Sequence, residues 1–143
     1  MKPFYDLTED ENNQLLLLPV YVSLQALSDG DIDKNALEAA VRFAHTKTFS
    51  CDPLLIPFYQ AVDENFADTL ERVFEQLPED KIARKHIIEK ELQLIGQIVS
   101  KLNQQYVHII HQSMQSFGEH VAKAQNSVLA TFVLPMPLPR LNI

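Results

Sequence analysis

Between Ile88 and Val121, apolar side chains return every three or four positions: Ile88, Leu92, Ile95, Val99, Leu102, Tyr106, Ile110, Met114, Phe117 and Val121. That spacing lines up on one side of a helix of 3.6 residues per turn, whereas strand side chains change face at every residue. Shorter stretches repeat the register: Leu37, Ala40, Val41 and Ala44, then Phe66, Leu70, Val73, Phe74 and Leu77. The chain has only three glycines, and no Asn-Gly, Asp-Gly or Gly-Gly pair sits between alternating apolar runs. Hairpin chemistry is therefore missing. The expected fold is all-α, a compact single-domain bundle of about five to six helices over residues 1–126. An extended, Pro-rich C-terminal tail over residues 127–143 is expected to pack on it.

Local chemistry places the helix ends. Thr8 and Glu11 have the spacing of a capping box, so a helix starts there and runs through Leu15–Leu27 to about Ser28, apolar nearly all round and hence central. Pro19 cannot donate to the carbonyl of Leu15, so a kink is expected. Gly30 is expected in the left-handed conformation that stops this helix, and Asp33 caps the next, with Ile32 stapled onto Leu37. Thr46 to Ser50 reads as a break. Asp52-Pro53 starts a short helix that Pro57 limits, and Asp63 or Asn65 opens a fourth. Pro78-Glu79-Asp80 separates that helix from the long stretch, which Asn103 divides. In the tail, Pro135, Pro137 and Pro139 forbid a helix and favour extended backbone. It reads as a strap laid in a groove of the bundle, with a partner-binding or exchanged arm as the alternative.

Charge and composition exclude several classes. The net charge of −7 argues against nucleic-acid binding. It is unevenly spread, with 5 Lys/Arg against 16 Asp/Glu in residues 1–80 and 7 against 3 in residues 81–143. Such asymmetry suits solvated faces that neutralise each other, or head-to-tail association. No apolar run approaches the ~20 residues of a membrane span. The N-terminal Met1-Lys2-Pro3-Phe4-Tyr5-Asp6 lacks a leader pattern, so a cytoplasmic location is expected. The single cysteine, Cys51, has no thiolate-stabilising neighbour in sequence and reads as a half-buried apolar residue.

No phosphate loop, Gly-x-Ser-x-Gly or His-Glu-x-x-His is present, and no enzyme class finds support. His108 and His111 share one side of a helix and are expected to be exposed, with no Cys, Asp or Glu to complete a zinc set. His120 is expected as a hydrogen-bonded core histidine. Lys81, Arg84, Lys85 and Lys90 alternate with Glu89 and Glu91 as an exposed face. The remaining motif is Asp29-Gly30-Asp31-Ile32-Asp33. As an EF-hand it fails, because Lys34 stands at the glycine position and Ala40 at the bidentate one. Asp29, Asp31 and Asp33 are nonetheless crowded at one turn, and a divalent cation such as calcium or magnesium would relieve their repulsion.

Leu27-Ser28-Asp29-Gly30-Asp31-Ile32-Asp33, followed by a helix carrying Glu38, resembles the helix corner of TerB-like tellurite-resistance proteins. The Cys51-Asp52-Pro53-Leu54-Leu55 restart, the Leu77-Pro78-Glu79-Asp80 break and Ser113 to Ala124 are similar to uncharacterised bacterial members. The resemblance implies a helical domain of two pseudo-repeated halves, an optional cation at the acidic corner through Asp29 and Asp33, and a stress-response role. At the second corner, Lys101-Leu102-Asn103-Gln104 departs from the pattern by lacking Asp-Gly. The expectation is a non-enzymatic protein-interaction module without a fixed cofactor. The alternatives are a metal-dependent activity at Asp29, Asp31 and Asp33, and a structural homo-oligomer.

Overall fold

The computed structural model describes residues 4–28, 30 and 32–124. Six α-helices occur among these residues: α1 (Glu9–Leu15), α2 (Leu18–Leu27), α3 (Lys34–Ser50), α4 (Ile56–Gln76), α5 (Lys81–Val99) and α6 (Gln104–Ala124). A 3-10 helix, Pro53–Leu55, precedes α4, and no strand is present among the described residues. The tail expected at 127–143 lies outside the described residues.

The helix starts follow local chemistry. Thr8 and Glu11 form the reciprocal capping box, each side chain bonding the other's amide. Asp33, Asp52 and Asp80 accept bonds from the amides of Ala36, Leu54 and Ala83 at 2.8–2.9 Å. Asn103 accepts from the Tyr106 amide at 3.0 Å, so it opens α6.

The prolines act differently from expectation. The kink at Pro19 is a complete restart: α1 ends at Leu15 and α2 begins at Leu18, with Pro19 in its first turn. Pro57 likewise sits in the first turn of α4, which begins at Ile56 and not at Asp63 or Asn65. A first-turn amide has no intrahelical partner, so proline there forfeits no bond. Nor is Thr46–Ser50 a break. Thr46 and Ser50 return their hydroxyls to carbonyls one turn back, at 2.9 and 3.2 Å, and α3 continues to Ser50. At Gly30 an added Cβ would meet nothing within 4 Å.

Helix α2 is the centre. Leu18, Val20, Val22, Leu24, Ala26 and Leu27 are all buried, and the helix packs against α4, α5 and α6. Complete burial of each Leu or Val contributes about 1.5–3 kcal/mol, so this short helix anchors the others. Its buried Ser23 hydroxyl is satisfied by the Pro19 carbonyl at 2.7 Å. Helices α3 and α4 run antiparallel, joined by His45 Nδ1 and Asp63 Oδ2 at 2.9 Å. Helix α6 also runs antiparallel to α3, because Lys47 Nζ donates to Ser116 Oγ at 3.2 Å and Phe43 stacks on His120 with centroids 5.8 Å apart. An ion pair between Glu11 and Lys101 ties the start of α1 to the α5–α6 turn. The lysine, together with the Thr8 amide, holds the Glu11 carboxyl below the ordinary carboxylate range. Among the described residues, no helix is long and apolar enough to cross a membrane.

Candidate functional site

The corner between α2 and α3 is built from a helix end, a cap and a buried cation. Ser28 closes α2 with its hydroxyl on the Gln25 carbonyl at 2.9 Å, and the Gly30 amide bonds the Leu27 carbonyl. Asp33 opens α3 as its cap. Arg84, one turn into α5, reaches across to this corner. Its Nη2 donates to the Ser28 carbonyl at 3.4 Å and the Gly30 carbonyl at 3.5 Å. The residue is only 7% exposed, and Nε has no partner among the described residues. The expectation of an exposed basic face is therefore corrected at Arg84. A guanidinium is costly to bury, and it persists where acceptors and negative charge meet it. Here it meets the carbonyls of Ser28 and Gly30.

Of the three aspartates expected to hold a cation, only Asp33 is among the described residues, and its carboxylate serves the Ala36 amide. Asp29 and Asp31 lie outside them. Among the described residues, no three His, Cys, Asp or Glu side chains gather as a metal-binding group.

Next to the corner opens a groove of about 730 Å³ between α3 and α4. Ile32, Leu37, Val41, Leu70 and Phe74 make its apolar floor. Asp33, Glu38, Glu71 and Glu75 stand on its rim against Lys34 and Arg42. A second hollow of about 370 Å³ shares Ile32, Phe74 and Glu75 with it and continues past Leu77 and Pro78 to Arg84. The two hollows adjoin at Ile32, Phe74 and Glu75 beside the corner, and Arg84 lines the second of them. Leu37 and Val41 belong to the face expected to be buried, yet both are only half-buried, as are Phe74 and Leu77. The apolar stripe of α3 is wider than the cover α4 and α6 provide.

The histidines are redistributed. His108 and His111 are half-buried and not exposed. Burial, with the neighbouring His108, holds His111 below the ordinary imidazole value, and its Nδ1 is buried without a partner among the described residues. His120, expected in the core, is instead exposed and stacked on Phe43. Cys51 is half-buried, and burial pushes its thiol above its ordinary value. Tyr59 is fully buried with its hydroxyl 2.5 Å from Ser113 Oγ, and that burial raises its pKa.

Reading along the sequence missed Arg84 and the groove. For Arg84 a signal existed: it lies four residues before Ile88 and continues the stripe Ile88, Leu92, Ile95, Val99 by one turn. For the groove none existed, because an apolar stripe does not say how much of it a neighbour covers. Comparison with known proteins finds no matching family model, no matching curated protein and no matching solved structure.

Proposed function

We propose that the chain is a non-enzymatic helical interaction module whose α3–α4 groove takes up an apolar protein segment carrying a basic residue. The observation that carries this reading is the uncovered apolar floor of Ile32, Leu37, Val41 and Phe74 beneath a rim of four carboxylates and two cations. A channel of this shape accepts side chains at alternate or helical spacing, and the surplus of carboxylates favours a basic residue at its edge. Beside the groove, Asp33 caps α3 and Arg84 reaches the Ser28 and Gly30 carbonyls. A TerB-like, stress-response setting belongs to this proposal through the resemblance of the Leu27–Asp33 corner alone.

The test uses short peptides with one apolar run and none, one or two arginines, and matched peptides with aspartate. They are titrated into the isotope-labelled full chain and followed by two-dimensional NMR. Shifts should centre on residues 34–42 and 67–75, and affinity should rank arginine above neutral above aspartate. Shifts spread over other faces would refute the reading, as would their absence at millimolar peptide both here and in the full-length Phe132→Ser with Leu134→Ser variant.

A further inference from the structure

We infer that the segment filling the groove is the chain's own C-terminal stretch, residues 128–136, folded back in cis. This rests on the groove reading above and adds the identity of the occupant.

Three observations converge on it. The first is where α6 ends. Phe43 stacks on His120 and Lys47 bonds Ser116, so residues on the two antiparallel helices pair with a nearly constant sum of numbers. The same register brings the backbone of Ala124, the last residue of α6, level with Ala39. Ala39 lies within the span of α3, residues 34–42, that walls the groove.

The second is reach. The His120 side of α3 and the groove side face different ways, so the chain must cross about one helix width, ~10 Å. Residues 125–127 span roughly that distance when extended, at ~3.3 Å each. The stretch 128–136 then covers up to about 30 Å. The α3 wall itself runs only about 12 Å, at 1.5 Å per residue. The remainder carries the chain on toward the second hollow, beyond Phe74 and Glu75.

The third is chemistry. Val128-Leu129-Ala130-Thr131-Phe132-Val133-Leu134 is apolar, as the floor is. Residues 127–143 contain no acidic side chain and one cation, Arg140, while Glu38, Glu71 and Glu75 line the rim. A tail in cis is present at a high effective concentration, so an outside segment binds only by displacing it. The groove is then a site that its own chain regulates.

The test places a nitroxide label on Leu134→Cys in a full-length Cys51→Ser background and reads amide broadening. Amides of residues 34–42 and 67–75 should lose more than half their intensity, and those of Ser100 and Lys101, at the α5–α6 turn on the far end of the bundle, should keep theirs. Mixing labelled chain with isotope-labelled, spin-free chain separates the sources. Groove broadening that persists undiminished in the mixture assigns the groove to a second copy and overturns the proposal, as does broadening away from the groove. A second full-length variant, Phe132→Ser with Leu134→Ser, should bind the arginine-bearing peptides at least tenfold more tightly than the unaltered chain. Unchanged affinity overturns the tail as occupant while leaving the groove reading intact. Failure of every peptide on both chains refutes the groove itself.

Discussion

Replacing Asn12 with alanine should cost this fold about 3 kcal/mol, roughly one hydrogen bond's net worth of ~1 kcal/mol for each of the bonds lost, less the relief from fraying. Asn12 is 2% exposed and holds the N-terminal segment by four bonds. Its Oδ1 accepts from the Phe4 amide at 3.0 Å, and its Nδ2 donates to the carbonyls of Phe4, Leu7 and Thr8 at 2.9, 3.3 and 3.0 Å. Two outcomes compete in the variant. If residues 4–8 stay docked, the Phe4 amide and carbonyl remain in place without their partner. If the segment peels away, Phe4 and Leu7, both buried, return to water at about 1.5–3 kcal/mol each. Either route gives a similar loss, and the seven-residue α1 is too short to hold itself. For a chain of this length, that loss lowers Tm by about 10 °C. Thermal and urea unfolding of Asn12→Ala, followed by helical circular dichroism, measures it. Asn13→Ala is the control, because its neighbour Asn13 is exposed. A difference between the two variants below about 0.5 kcal/mol, the usual range of a surface substitution, would refute the reasoning.

Asp33→Ala should destabilise by about 1 kcal/mol through loss of the α3 cap, while Asp33→Asn, which keeps the accepting oxygen, should cost much less; urea unfolding of both decides. Arg84 already places a positive charge against the corner, so titration calorimetry with calcium, magnesium or manganese should show no heat below millimolar metal. Sub-millimolar binding that vanishes in Asp29→Ala with Asp31→Ala would instead establish a cation there. His111, held below its unfolded pKa by burial and His108, binds fewer protons folded than unfolded. Its contribution is therefore complete above the unfolded value near 6.5 and declines as pH falls below it. His111→Asn should flatten the stability profile between about pH 6.5 and 5, and an unchanged slope would remove His111 as its source.

Helix starts were legible because a cap is a local object. Thr8, Asp33, Asp52, Asp80 and Asn103 each meet an amide two or three residues on, and no distant residue is needed to make that bond. The buried stripe from Ile88 to Val121 was legible for the same reason, since period fixes a face. Prolines misled because their effect depends on where the helix chooses to start. Pro19 and Pro57 break a helix only if it already runs through them, and here both lie in first turns.

Of the candidate site, the sequence determined the cap at Asp33, the acidity of the turn and the apolar width of α3. Only the tertiary structure decided that Arg84 is buried against the Ser28 and Gly30 carbonyls, more than fifty residues away in the chain. It alone decided that α4 leaves Leu37, Val41 and Phe74 partly bare. The physical reason is common to both. Burial is a relation between surfaces that approach each other late in folding, and a single segment carries the pattern of its own surface without the shape of what covers it.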